Sequence, residues 1–249
     1  IPCKTCEHCL QHREKYCLQP LHQNDIGGFA EYTIVNQQFV FPINSTPRIE
    51  HVLLEPLSVA LSVIKNIRFL GSCQRIAVSG AGTIGLLIAW QLTKYCEYPI
   101  ILLTNHIDGR AAQLACAMGI QVHSAYDFPE SQLDVILATS DYDTIPQLLK
   151  SLRIGGRLVT IGFQGYKSNL LSLNMEELHR KSLCLQGCYA HPQMYFEDAA
   201  YTVTQSSTLL KDMLSPVFSL AQVQHAFEVA KLHIYSKTIV GENNYFTNV

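Results

Sequence analysis

The run Gly80-Ala81-Gly82-Thr83-Ile84-Gly85 constrains the fold of this chain more than any other segment. It follows a short apolar stretch, residues 76–79, and opens an apolar segment at helical spacing, residues 84–95. A G-x-G-x-x-G run means little by itself, but between a strand and a helix it describes a tight βα turn built for a dinucleotide. The first glycine permits the turn. The second lets a pyrophosphate approach the backbone, and the third lets the helix pack closely on the strand. The free N–H groups and the dipole at the helix start then favour an anion. The plainer alternative is a glycine-rich βα turn with no ligand.

The surrounding sequence has the same texture. Strands are expected at 76–79, 100–104, 121–123, 135–138, 158–161 and 183–186. Helical segments are expected at 84–95, 110–118, 144–152 and 194–205, the second closed by Gly119 and the third by Gly155-Gly156. Such alternation argues for an α/β fold with a doubly wound parallel sheet. Ahead of it, Gly27-Gly28 opens a strand-like segment at 29–35, Pro42 and Pro47 mark a connection, and 53–66 is apolar at helical spacing. Beyond it come a helical pattern at 220–230 and a strand-like run at 237–240. No internal repeat or low-complexity tract interrupts this order.

In dinucleotide folds an acidic residue about 20 positions past the turn holds the ribose 2′-OH. Twenty residues after Gly85 stands Asn105, and Asp108 follows three residues later. Asparagine can bond a hydroxyl without repelling a 2′-phosphate. Arg110, opening the next helix, can pair with such a phosphate or simply face solvent. The candidate cofactor residues are therefore Gly80, Gly82, Thr83, Ile84, Gly85, Asn105 and Arg110. Together they call for a dinucleotide and leave NAD versus NADP open.

A second constellation lies near the start. Cys3, Cys6, Cys9 and Cys17 read C-x2-C-x2-C-x7-C. Four thiolates close a tetrahedral site around Zn²⁺, and a site with all four positions filled is structural because no position is left for water or substrate. The alternatives are two disulfides or loose thiols. Lys4, Arg13 and Lys15 lie close by in sequence and can offset the cluster's negative charge.

Composition narrows the function classes. The chain has 249 residues, 48% of them hydrophobic and 15% charged, with a formal net charge of −2. That balance gives no electrostatic reason to expect nucleic acid or an anionic membrane as partner. The longest apolar stretches, such as 86–90, are too short to span a bilayer. Five further cysteines, Cys73, Cys96, Cys116, Cys184 and Cys188, sit in apolar segments as buried free thiols would. With thiolate zinc ligation and no visible signal peptide, this favours a reducing cytoplasm. The first residue is Ile rather than Met, so a cleaved, trimmed or truncated product is expected.

With both motifs placed, the chain resembles the zinc-containing medium-chain dehydrogenase/reductase family, and most of all its polyol (sorbitol-type) and threonine dehydrogenase branches. The matching pieces run in the family's order. They are the cysteine lobe, Gly28-Phe29-Ala30-Glu31-Tyr32, Glu55-Pro56-Leu57-Ser58-Val59-Ala60 and the glycine turn, then Gly155-Gly156-Arg157-Leu158-Val159, Ala226-Phe227-Glu228 and Lys237-Thr238-Ile239-Val240.

The resemblance implies a Rossmann domain, residues 58–213, inserted into a partial GroES-like catalytic domain. The latter comprises residues 1–57, with the zinc lobe at 1–20, and residues 214–249. It implies hydride transfer between a secondary alcohol or polyol and NAD or NADP, in a dimer or tetramer. It places Glu55 near the catalytic zinc, as ligand or proton-relay member; the plainer reading is a glutamate favoured by a helix N-terminus. Lys237 aligns with a basic cofactor-contacting position in some relatives, or is a surface lysine beside the last strand. In the family the catalytic zinc depends on a cysteine and a His-Glu pair that precede the four-cysteine lobe, and this chain has neither ahead of Cys3. His51, four residues before Glu55, is a poor replacement because it falls before the helix; His8 and His12 read as polar loop residues. Two readings follow: part of an active zinc-dependent dehydrogenase, or an inactive dinucleotide-binding remnant with a structural zinc only.

Overall fold

A six-stranded sheet organises the molecule because its central strands are apolar on both faces and must be covered on both. The computed structural model describes residues 2–20, 27–35, 37, 40–43, 46–67, 75–162, 170–189 and 192–242. The elements in chain order begin with α1 (Glu7–Leu10), α2 (Leu54–Asn66), β1 (Ile76–Ser79), α3 (Thr83–Leu92), β2 (Ile101–Thr104), α4 (Arg110–Ala117) and β3 (Gln121–Ser124). Next are β4 (Leu133–Ala138), α5 (Ile145–Ser151), β5 (Leu152–Ile161), α6 (Met175–Arg180) and β6 (Cys184–Cys188). The last are α7 (Phe196–Gln205), α8 (Ser207–Lys211), β7 (Leu214–Phe218), α9 (Val223–Lys231) and β8 (Lys237–Val240).

The sheet runs β3-β2-β1-β4-β5-β6 and every pairing is parallel. This is the doubly wound dinucleotide-binding order, as the alternation of strands and helices predicts. Every residue of β1, β2 and β4 is buried. Their side chains alternate between two cores. Val78, Leu102 and Leu137 join the layer beneath α2 and α3, while Ala77, Leu103 and Ile136 join the layer beneath α5.

Helix α2 supplies much of the first core. Leu54, Leu57, Leu61 and Ile64 recur at helical spacing and are buried. Pro56 falls in its first turn, where its missing N–H costs no intrahelical bond. The buried Ser58 hydroxyl donates to the Leu54 carbonyl at 2.6 Å. The expected 53–66 helix is thus realised almost residue for residue, preceded by a 3-10 turn at Ile49–Leu53.

Two local expectations need correction, and one strand was not foreseen. Gly155-Gly156 does not close a helix. α5 ends at Ser151, and β5 begins at once with a bulge that contains the glycine pair. Leu133 pairs with Leu152, yet Val135 pairs with Arg157. Gly155 has φ +75 and donates its N–H to the Lys181 carbonyl at 2.7 Å, which fixes the bulge against the end of α6. The segment 29–35 is not a strand: it pairs with no other segment among the described residues, and Tyr32 and Ile34 are 92% and 89% exposed. A strand needs a ladder partner, and its alternating apolar residues cannot supply one. Finally, Leu214–Phe218 was not anticipated as a strand, but it pairs in parallel with β8 in a small second sheet. The Ser215 hydroxyl accepts the Ile239 N–H at 2.9 Å and bridges an irregular register there. No helix of the described residues is long and apolar enough to cross a membrane.

Candidate functional site

The glycine turn lies at the carboxyl end of β1, where the strand order reverses between β1 and β4. Such a switch point opens a crevice for a ligand. Its three glycines are there for different reasons. Gly80 has φ +104, and a Cβ on it would stand 2.6 Å from Thr139 Oγ1 and 2.9 Å from Ser140 N. A Cβ on Gly85 would stand 1.9 Å from the Gly80 carbonyl oxygen. Both are required by packing. Gly82 is not: its φ −74 and ψ 179 suit any residue, and a Cβ there would meet nothing within 4 Å. The space in front of it is open to a ligand.

Hydroxyl groups behind the turn were not singled out from sequence. Thr139, just past β4, donates its Oγ1–H to the Ser79 carbonyl at 2.9 Å. Ser79 and Ser140 hydroxyls lie 2.8 Å apart, and Ser140 and Thr144 hydroxyls 2.8 Å apart. The signal was present as a run of small polar residues after an apolar strand, but such runs also mark ordinary loops.

Thr83 begins α3, and its hydroxyl donates to the Ser236 carbonyl, so that side chain is engaged within the protein. Ile84 packs its side chain against the core, which leaves its backbone as the part that can serve a ligand. Asn105 is exposed immediately beyond β2. Arg110 is exposed at the start of α4; it donates from Nη2 to the Asp212 carbonyl at 3.2 Å and stacks on the Tyr235 ring at 4.9 Å.

Glu55 lies in the first turn of α2 and is exposed, yet enough protein surrounds it that burial raises its carboxyl pKa; Lys237 opposes that shift. Lys237 opens β8 directly after Ser236. The starts of α2, α3 and β8 therefore converge, and Glu55, Thr83 and residues 236–237 share one neighbourhood. His51 lies in the 3-10 turn that leads into α2, where its Nδ1 accepts the Arg48 N–H at 3.2 Å. That nitrogen is already spent.

The four cysteines of the lobe come together, with their sulfurs all within 4.8 Å of one another. Cys3 and Cys9 Sγ lie 3.9 Å apart, as do Cys6 and Cys17 Sγ. Tetrahedral zinc with Zn–S near 2.3 Å requires sulfurs about 3.8 Å apart, so the donor set fits that ion. The backbone is folded around the sulfurs: Cys6 N–H donates to Cys3 Sγ and Cys3 N–H to Cys17 Sγ, both at 3.3 Å. Hydrogen bonds from Thr5, first its side chain and then its backbone, hold the Cys3 thiol down to about 5. A backbone bond at Cys9 lowers Cys6, and burial pushes Cys9 up to about 12. Crowded thiols of this kind need a cation before all four can ionise.

The nearby cations are placed less simply than expected. Lys4 pairs with Glu14 at 3.4 Å, while Arg13 and Lys15 face the Tyr16 ring at 5.4 and 4.8 Å. Lys15 also donates to Asn66 Oδ1 at 3.3 Å, tying the lobe to the end of α2. Cys96, Cys116, Cys184 and Cys188 are free thiols, but none is buried as expected: Cys116 is exposed on α4 and the other three are half-buried; Cys73 lies outside the described residues.

No family model matches the chain. It is nevertheless 23% identical over 260 residues to D-xylulose reductase A of Aspergillus oryzae, covering 96% of this chain and 71% of that protein. It is 23% identical over 237 residues to galactitol 1-phosphate 5-dehydrogenase of Escherichia coli, covering 86% and 67%. Among solved structures, an alcohol dehydrogenase from E. coli complexed with NADH superposes with a TM-score of 0.78 at 18% identity, over 96% of this chain and 73% of that one. The chain thus has the fold of a nicotinamide-dependent dehydrogenase. More narrowly, it resembles the zinc-containing medium-chain dehydrogenases of alcohols and polyols, the family to which its motifs point.

Proposed function

We propose that this chain is the dinucleotide-binding part of a zinc-dependent alcohol or polyol dehydrogenase, which transfers hydride between a secondary alcohol and NAD(P). The observation that carries the reading is the open space in front of Gly82, at the switch point of a parallel sheet whose order is that of dinucleotide-binding folds. In this reading residues 58–213 form the Rossmann domain, and residues 1–57 and 214–249 form a partial GroES-like domain.

Gly80, Gly82 and Gly85 shape the turn, and the N–H groups of Thr83 and Ile84 face the pyrophosphate at the start of α3. Asn105 takes the adenosine ribose. The bound nicotinamide supplies the hydride acceptor, and the protein supplies its orientation. Glu55, with a raised pKa and with Lys237 nearby, holds or passes a proton beside the reacting alcohol. Cys3, Cys6, Cys9 and Cys17 hold a structural zinc that fixes the lobe against α2. The reading also implies small alcohols or polyols as substrates, a cytoplasmic location and a dimer or tetramer, all by resemblance to the family.

Calorimetric titration tests the central claim. NADH or NADPH should bind the folded chain, and Gly82→Val should abolish binding while the fold persists. Failure of both dinucleotides to bind correctly folded, zinc-loaded protein would end this reading. Metal analysis should give one zinc per chain.

A further inference from the structure

The far end of α2 borders a second concave region. Asn66 ends the helix whose first turn holds Glu55, about 16 Å away along its axis. Between Asn66, the cysteine lobe and the β5–β6 edge of the sheet lies a cavity of about 470 Å³. That is the size of an ordinary small-molecule site.

Two half-buried cations reach this cavity from different elements, Lys15 from the lobe and Arg157 from β5. Across the ladder Arg157 pairs with Cys184 and Val159 with Gln186, so Arg157 and Gln186 share the face that Val159 turns toward α2. Neutral amides orient both cations. Lys15 Nζ donates to Asn66 Oδ1 at 3.3 Å, and Arg157 Nη1 donates to Gln186 Oε1 at 3.1 Å. An amide holds a cation in place without cancelling its charge. Cys188 is half-buried in the same cavity; burial raises its thiol pKa and Lys15 opposes the rise, so the ammonium acts inward. No carboxylate is found among the described residues that line the cavity. Its lining therefore carries two positive charges and no negative one, and a concave wall focuses such a field on an anion.

The lining also selects the kind of anion. Two cations match a dianion, whereas a carboxylate would leave one of them unmatched. A guanidinium fork and an ammonium point charge together suit a phosphate group. The cavity is larger than a phosphate alone requires, and Gly187 fronts open space because a Cβ there would meet nothing within 4 Å. The remaining walls include the phenols of Tyr16 and Tyr189 and the Gln186 amide, which can bond hydroxyl groups.

We propose that the seam between the cysteine lobe and the β5–β6 edge binds a small hydroxylated phosphate monoester, held by Lys15 and Arg157. Lys15 and Tyr16 belong to the lobe, so the site is complete only when the lobe is folded. Zinc and the ester then favour each other's binding. That coupling rests on the zinc reading of the lobe; the site itself does not.

Calorimetric titration of the full, zinc-loaded chain with glucose 6-phosphate, inorganic phosphate, glucuronate and glucose tests the proposal. Glucose 6-phosphate should bind at least about tenfold more tightly than glucuronate and several-fold more tightly than inorganic phosphate, and glucose should not bind. Lys15→Gln and Arg157→Gln should each weaken glucose 6-phosphate at least about tenfold, the size of a lost hydrogen bond to a charged group. Zinc content and urea midpoint check that each variant is folded. A second readout needs no variant: stripping zinc with a chelator should weaken the ester to a similar extent. Saturating NADH should leave its affinity unchanged, and displacement by NADH would make the cavity part of the dinucleotide crevice and overturn the assignment. Glucuronate binding as tightly as the ester overturns the phosphate class, and inorganic phosphate binding as tightly overturns the hydroxylated body. Absence of binding, or unchanged affinity in both folded glutamine variants, overturns the site. A chain that holds no zinc yet binds the ester through Lys15 and Arg157 refutes the coupling and the zinc reading while confirming the site.

Discussion

Among described residues 2–20 only Pro2 and Cys9 are buried, whereas the turn at residues 80–85 hangs between β1 and α3, where burial is almost complete. The lobe's backbone is folded round four sulfurs, and two of its residues, Lys4 and His12, adopt positive φ. The turn is shaped from behind by Thr139 and Ser140. On the proposed reading, the lobe takes its order from the zinc it binds, while the turn is finished before any ligand arrives. A small loop with no core of its own depends on metal–ligand bonds for its folding free energy; a βα turn in a parallel sheet inherits its shape from the packing around it.

The comparison breaks first at the metal. Binding energies of about 10–16 kcal/mol hold structural zinc in isolated finger peptides. Stripping zinc with a chelator should therefore erase amide-exchange protection across residues 3–17. Protection in β1, β2 and β4, and dinucleotide affinity, should change little. Loss of protection in both regions together would show that the lobe and sheet fold as one unit, and the contrast would fail.

The reverse perturbation is Gly85→Ala. Its Cβ would stand 1.9 Å from a backbone oxygen, so the strand, the helix or both must move. Overpacking of that severity should cost about 3 kcal/mol or more, read as a lower urea midpoint, with the zinc content unchanged. Gly82→Ala sharpens the point because it changes the same motif at a position that packing does not constrain. With an ordinary φ and open space around it, alanine should leave stability unchanged or raise it by about 0.4–1 kcal/mol through the unfolded chain. Dinucleotide affinity should nevertheless fall about tenfold. A Gly82→Ala protein that binds as before would mean that the open space is not the pyrophosphate's.

These differences also mark how far the sequence could be read. The sheet was legible because apolar runs such as 76–79 and 135–138 alternate with helical periodicity, and burial on both faces leaves few other solutions. The cysteine lobe was legible because ligand spacing is a local property. What escaped was tertiary. Leu214–Phe218 became a strand only by pairing with a segment more than twenty residues away, across a proline at position 216 that disguises it. The 29–35 segment has the composition of a strand, but composition does not supply a partner. The Gly155-Gly156 pair looked like a helix stop, because nothing local reveals that Lys181 offers the carbonyl that makes it a bulge. At the site, Gly80, Gly82 and Gly85 were visible as a motif, but only the placement of Thr139 and Ser140 separates the packing glycines from the open one. Tyr235 as the support of Arg110 had no sequence signal at all.

The smallest effect concerns Glu55, which belongs to neither extreme: it is exposed in the first turn of a well-packed helix, within reach of the Lys237 charge. Burial raises its folded pKa above the unfolded value of about 4.3, and Lys237 only partly opposes it. The folded state then holds the proton more tightly than the unfolded one. Stability therefore falls as pH rises from the unfolded pKa through the folded one, and the whole penalty is present at neutral pH. Glu55→Gln removes the charge and with it the penalty. Because the side chain is exposed, the gain at pH 7 should stay below about 0.5 kcal/mol, and it should vanish below about pH 4. Paired urea titrations at the two pH values measure it. A variant less stable than the parent at pH 7 would mean that attraction to Lys237 outweighs desolvation, and Glu55 would then be a structural anchor for β8 rather than a carboxyl poised to carry a proton.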